Sequence, residues 1–288
     1  MRLKGFKKRY LLYIVFIGYV LLNNSCLTMR SSHKETHAFF EEHQIIPTDS
    51  TLQIDKRKIH YLQTGVTDAP TLVFIHGSPG SWNAYKNYLI DSELSKKYRI
   101  IAIDRPGFGH SNFRKSMGLA EQSKLLNKVL KKLANHKSYT LIGHSYGGPL
   151  IAKMGIDEPE LYQNLIILAG ALDPEAEKPE NWRYPFYYFP LKYIVPGALK
   201  PSNDELVLLK KDLFPLKSEL NTLSQNVLII HGTEDKLVPY SNVAYMEKHF
   251  VATKKLQVIS LEKENHFIVW SKEAFLKKTI QKWVDSIQ

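Results

Sequence analysis

The sequence predicts an α/β protein, a mostly parallel sheet with helices on both faces and a short inserted cap. Three observations carry this. Thr71–Ile75 and Arg99–Ile103 are nearly unbroken apolar runs, the pattern of parallel strands buried on both faces. Such runs alternate with helix-period stretches, clearest in 119–133, where Leu125, Leu126, Val129, Leu130 and Leu133 recur at helical spacing. The alternation breaks once, over residues 171–222, in an aromatic-rich stretch.

In order, residues 51–54 and 58–63 read as two short strands with Asp55-Lys56-Arg57 turning between them. Thr71–Ile75, Arg99–Ile103 and the helix 119–133 follow. A strand from Tyr139 runs into Gly143-His144-Ser145-Tyr146-Gly147, and a helix begins near Gly148. Strands at 165–168, 227–230 and 256–259 complete the alternation. A last helix, about 271–287, places Phe275, Leu276, Ile280, Trp283, Val284 and Ile287 on one side. The break opens with Pro174, Pro179 and Pro185, carries Trp182, Tyr184, Phe186, Tyr187, Tyr188, Phe189 and Tyr193, and turns helical after Ser202. An aromatic insertion of this length between core strands is expected to cover a site. The core is therefore 51–170 and 223–288, with 171–222 as the cap.

The 288 residues suffice for one large core, and 44% hydrophobic with 23% charged residues is globular rather than disordered. The net charge of +11 comes from 39 basic and 28 acidic residues. Five of the basic ones (Arg2, Lys4, Lys7, Lys8 and Arg9) open the chain, and no acidic residue precedes Cys26. The remainder holds 34 basic against 28 acidic residues, +6. Lysines such as Lys128, Lys131 and Lys132 lie on helix faces without interleaved aromatics, which argues against a nucleic-acid partner.

The basic opening leads into an apolar run of 13 residues, 10–22, and then Asn23-Asn24-Ser25-Cys26. That run is short for a membrane span and suits a signal-peptide apolar region. It resembles a bacterial lipoprotein signal, with Asn23 and Asn24 standing where small or apolar residues are usual. The resemblance implies that 1–25 is a signal peptide, that Cys26, the single cysteine, is lipidated, and that the body is extracytoplasmic and membrane-anchored. An uncleaved anchor or an ordinary signal peptide would place it on the same side. Residues 26–50, polar with His33, His37 and His43, read as a solvated tether or a short surface helix and not as a metal site.

Gly143-His144-Ser145-Tyr146-Gly147 is a G-x-S-x-G pattern between strand and helix, which marks a nucleophile on a sharp turn. Only small neighbours let the chain pass close by, so Gly143 and Gly147 supply room for the turn. The following helix points its N–H groups and positive dipole at the serine. Serine needs a base to act at neutral pH.

From residue 51 to the end, the chain resembles the α/β-hydrolase family. The resemblance rests on His76-Gly77-Ser78-Pro79, Asp104-Arg105-Pro106-Gly107-Phe108-Gly109, the Ser145 motif, His231-Gly232-Thr233-Glu234-Asp235-Lys236-Leu237-Val238-Pro239 and Asn265-His266-Phe267, in this order. It implies a triad of Ser145, Asp235 and His266, with Asp235 rather than Glu234 as the acid, and an oxyanion hole from the backbone N–H groups of Ser78 and Tyr146. His144 should point away from Ser145, while His76 and His231 shape loops and Asp104 and Arg105 pin them. No metal or organic cofactor is implied. Serine at the elbow excludes the dehalogenase and epoxide-hydrolase members, which use aspartate there. The implied chemistry is hydrolysis of a carboxylic ester or amide through an acyl-enzyme, with a small acyl substrate whose apolar acyl or aryl group meets the cap aromatics. Other readings stay open. His76-Gly77-Ser78-Pro79-Gly80 is one residue from the H-G-G-P-G of prolyl iminopeptidases, and Glu175, Glu177 and Glu180 would meet a substrate ammonium; their G-G-S-W-G elbow differs. A cofactor-free haloperoxidase or a C–C bond hydrolase shares the triad. A catalytically inactive surface-displayed binding protein is the reading of another class, although no triad member is missing.

Overall fold

The computed structural model describes residues 8–25, 27–178 and 180–287 of the chain. Two helices, α1 (Lys8–Ser25) and α2 (His33–Glu42), precede the sheet. Strands β1 (Thr48–Ile54) and β2 (Arg57–Gly65) form a hairpin, and β3 (Thr71–Ile75) is followed by the short helices α3 (Lys86–Leu89) and α4 (Ser92–Lys97). Then come β4 (Arg99–Ile103), α5 (Leu119–Lys132), β5 (Tyr139–His144), α6 (Gly147–Asp157) and β6 (Tyr162–Leu168). Helices α7 (Tyr184–Tyr187) and α8 (Leu199–Glu219) lie between β6 and β7 (Asn226–Gly232). The chain closes with α9 (Ser241–His249), β8 (Lys255–Leu261), α10 (Ile268–Ser271) and α11 (Glu273–Asp285).

The eight strands are ordered β1-β2-β4-β3-β5-β6-β7-β8, antiparallel at β1–β2 and β2–β4 and parallel elsewhere. This is the expected sheet. Alternation along β3 sends Val73 and Ile75 into one core and Leu72 and Phe74 into the other. The first core holds residues of α5, α6, α8 and α9, and the second holds residues of α3, α4, α10 and α11. Each face buries complete aliphatic side chains, at about 1.5–3 kcal/mol apiece. Helix α8 is fastened to the first layer through Leu209, Leu213 and Leu216, and its Asp212 accepts from Leu119 N–H at 2.9 Å, capping α5.

Two expectations change. Residues 27–50 are not a free spacer. Ser32 and Glu35 form a capping box that starts α2, Phe40 is buried on Trp82, and β1 begins at Thr48. The adjacent Phe39 and Phe40 give this polar stretch an apolar edge that the core covers. The last helix is divided at Lys272, whose φ and ψ of −120° and 28° leave the helical region, and Phe275 is exposed. Helix α1 exposes Tyr10 to Ile17, and among the described residues no helix is long and apolar enough to cross a membrane. Cys26, Pro179 and the first three basic residues, Arg2, Lys4 and Lys7, lie outside the described residues.

A buried ionic cluster joins β1, β2 and the loop after β4. His60 contacts Asp104 through Nδ1 and Asp49 through Nε2, each at 2.8 Å. Burial alone would lower the His60 pKa, but Asp104 and then Asp49 raise it above 6.5. Burial likewise opposes ionisation of Asp104, yet His60 and the N–H groups of His110 and Trp82 hold it below 3.8. Because the His60 value is raised, its contribution is complete below pH 6.5 and fades as pH rises through the folded-state value. The depressed Asp104 contributes above pH 3.8 and loses this as pH falls through its folded-state value. The melting-temperature gap between wild type and His60→Gln should therefore be widest between these limits and narrow as pH rises through the folded-state value of His60. A gap that widens toward alkaline pH would contradict the pairing.

Candidate active site

The turn between β5 and α6 places Ser145 with φ of 55°, in the left-handed region that non-glycine residues rarely occupy. Its N–H bonds Leu168 O at 3.0 Å, and its carbonyl accepts from Gly148 N–H at 2.9 Å. The flanking glycines are required sterically. A Cβ on Gly143 would lie 2.3 Å from Gly147 O, and one on Gly147 would lie 2.5 Å from Ile75 O. Ser145 remains partly exposed at the start of an 11-residue helix.

His266 and Asp235 come from the ends of neighbouring strands, after β8 and β7. Their side chains meet at 2.7 Å, Nδ1 to Oδ2. Asp235 also accepts from Leu237 N–H and Val238 N–H at 2.9 and 2.8 Å. Burial alone would raise its pKa, but the hydrogen bonds from His231 and His266 outweigh this and hold it well below the usual carboxylate range. An anionic Asp235 fixes the proton on His266 Nδ1 and leaves Nε2 as the basic nitrogen. The backbone of His266 is drawn to the serine turn by His144, whose Nε2 lies 3.0 Å from His266 O and whose ring packs on that of His266 at 4.8 Å. Burial, and then repulsion from His266, lowers the His144 pKa to about 3, so it stays neutral and donates to that carbonyl. Among the described residues no hydrogen bond joins Ser145 Oγ to His266.

Gly77 packs against Ser145, since a Cβ there would come within 3.0 Å of Ser145 Cβ. The N–H groups of Ser78 and Tyr146 have no acceptor among the described residues. The Ser78–Pro79 bond is cis. Arg105 holds this loop from behind: Nε donates to His76 O and Nη2 to Gly77 O, both at 2.9 Å. His76 Nε2 accepts from Arg105 N–H at 3.0 Å, and burial followed by the Arg105 charge lowers its pKa to about 3. Asp104 and Arg105 thus brace loops, as the sequence suggested, and His231 does the same through Val238 O at 3.0 Å.

Sequence reasoning missed Glu205. It is fully buried on α8 and takes both Arg105 nitrogens, at 2.7 and 2.8 Å, while Gln122 Nε2 donates to it at 3.1 Å. Ser78 Oγ donates to Ser202 Oγ of the same helix at 2.9 Å. Helix α8 is therefore wired to the loop facing Ser145 at two points. The only signal in the sequence was a carboxylate on an otherwise amphipathic helix, with nothing to name its partner. None of the insertion's aromatics is buried, and Trp182, Tyr188 and Phe189 are 59%, 61% and 77% exposed.

A family model described as alpha/beta hydrolase fold matches residues 70–193. The chain is similar to Epoxide hydrolase 1 of Caenorhabditis elegans, 30% identical over 40% of this chain and 28% of that protein. It is also similar to a pimeloyl-acyl-carrier-protein methyl ester esterase of Nitrosomonas europaea, 24% identical over 66% of this chain and 86% of that protein. The chain spans less than half the length of the epoxide hydrolases it matches. Among solved structures, a membrane phospholipase A described as a bacterial virulence factor superposes with a TM-score of 0.65 at 20% identity, covering 97% of this chain and 99% of that one. The chain has the α/β-hydrolase fold.

Glu205→Gln would leave the Arg105 charge buried without its counter-ion. A loss of about 3–5 kcal/mol of unfolding free energy is expected by denaturant titration. Replacing both partners, Arg105→Met with Glu205→Leu, should recover most of that stability. A double variant destabilised by the sum of the two single losses would show that the pair is not coupled.

Proposed function

We propose that this protein is a serine hydrolase that cleaves carboxylic esters, and by the same route amides, through an acyl-enzyme on Ser145. The observation that carries the reading is the convergence of three groups on one end of the sheet: a strained, partly exposed serine, the 2.7 Å Asp235–His266 pair, and two unbonded N–H groups beside the serine. Ser145 Oγ attacks the carbonyl carbon as its proton passes to His266 Nε2. Asp235 stabilises the imidazolium through Nδ1. Negative charge grows on the carbonyl oxygen, which Ser78 N–H and Tyr146 N–H, with the α6 dipole behind them, stabilise in this reading. Collapse breaks the bond to the leaving oxygen, which takes the proton from His266. Water then repeats the sequence in reverse, adding to the acyl carbon and returning the proton to Ser145.

Serine at the elbow separates the chain from its epoxide-hydrolase relatives, since the family resemblance assigns aspartate to that role. Esters are favoured by the apolar rim beside the pair. Leu237, Phe267 and Trp270 are all exposed next to Asp235 and His266, and they suit an apolar acyl or aryl group. In this reading the insertion 171–222 acts as a cap, Cys26 carries a lipid, and the body works outside the cytoplasm on a membrane.

On p-nitrophenyl esters, Ser145→Ala and His266→Ala should each lower kcat by on the order of 10³–10⁶, with the double variant scarcely worse than either. Additive losses would separate the two residues. Asp235→Asn should lower kcat about 10⁴-fold with little change in KM, because the amide favours the wrong imidazole tautomer. An unchanged rate would remove Asp235 from the mechanism.

A further inference from the structure

The insertion carries a surface that the proposed chemistry does not use. Between Asn181 and Asn203 the chain has no acidic residue and three basic ones, Arg183, Lys192 and Lys200, of which Arg183 pairs with Glu180 and Lys200 with Asp204 at the borders of the stretch. Trp182, Tyr184, Tyr188, Phe189, Leu191 and Tyr193 in this stretch are each at least 39% exposed. Six exposed large apolar side chains within twelve residues have no ordinary place on a water-facing surface. Two cations are laid over these rings, Arg183 on Trp182 at 4.5 Å and Lys192 on Tyr193 at 5.3 Å. Trp and Tyr next to Lys and Arg is the composition of a lipid–water interface, with rings at headgroup depth and cations among anionic headgroups.

The fold also brings the residue after Cys26 close to this stretch. Ala198 N–H donates to Leu27 O at 2.9 Å, two residues beyond the end of α1. The start of the body at Leu27 is therefore tied to the segment that follows the aromatic stretch. Beneath the stretch is a cleft of about 470 Å³, lined by Tyr187, Phe189, Lys192, Met117 and Leu208, with Glu205 at its wall. The same Glu205 holds Arg105 and, through it, the loop facing Ser145.

We propose that residues 182–193 form a second membrane contact, in which the aromatic face rests on an anionic lipid surface beside the N-terminal attachment at Cys26, a placement that rests on the reading of Cys26 as lipidated. A single attachment holds a protein on a membrane only marginally, and two act together. The contact fixes the orientation of the insertion toward the bilayer and sets the cleft at the lipid surface. It does not depend on Ser145 chemistry, because its test reads binding without turnover.

The test uses the full chain bound to vesicles of phosphatidylglycerol and phosphatidylcholine, with and without bromine on the acyl chains. Helix α1 contains no tryptophan, and Trp82 and Trp283 are buried, so quenching by brominated lipid reports the exposed tryptophans. Trp182→Phe should remove most of that quenching while the protein still sediments with the vesicles. Phe189→Asp with Lys192→Glu, both surface changes, should weaken quenching of Trp182 without altering the melting temperature. Quenching that survives Trp182→Phe undiminished would overturn the proposal. An absence of quenching together with Trp182-dependent dimers in detergent would also overturn it, and would assign the face to a second copy of the chain.

Discussion

One close approach governs the upper edge of this molecule. The turn after β5 brings Gly147 so near β3 that no side chain fits against Ile75 O, and it leaves Ser145 at a φ of 55°. Left-handed backbone at a residue with a Cβ costs about 1–3 kcal/mol. The elements on either side offset it. Ile142, Leu150 and Ile151 are each fully buried, and at about 1.5–3 kcal/mol apiece they exceed the strain together. The serine is thus held up by packing that would survive any change at the serine itself. The same packing aims the start of α6 at the space above it.

Loops around that turn are fixed by buried carboxylates, none of which is left alone. An unpaired buried charge costs several kcal/mol, so each must bring its partners with it. Asp104 gathers His60 and the N–H groups of Trp82 and His110. Glu205 gathers Arg105 and Gln122. Asp235 gathers His266 and the turn through Val238. The first two knots tie β1, the serine-facing loop and α8 into one frame. The third belongs to the chemistry. Because the frame includes α8, the insertion is part of the site's support as well as its neighbour.

Much of this was legible in the sequence. The runs Thr71–Ile75 and Arg99–Ile103 coincide with their strands, because burial on both faces leaves an unambiguous apolar signature. Ser145, Asp235 and His266 lie where loops follow strands, and the short motifs around them mark those loops. Partnerships at long range were not legible. Glu205 lies 100 residues from Arg105, and no local pattern encodes that distance. Short helices such as α3 and α4 escaped because a single turn shows no periodicity. Residues 27–50 looked solvated because Phe40 is the only fully buried side chain there that departs from a polar background. The aromatics of the insertion were visible, but a sequence records composition and not the direction in which a ring faces.

The proposed chemistry requires Ser145 to be an activated nucleophile with an oxyanion site beside it. A fluorophosphonate probe tests both at once, since its phosphoryl oxygen must occupy the oxyanion site while serine attacks phosphorus. Treatment of the purified full chain, followed by peptide mapping, should place the label on Ser145, with none in Ser145→Ala and slow labelling in His266→Ala. Folded protein that takes no label, or takes it at another residue while Ser145 stays free, would contradict the account.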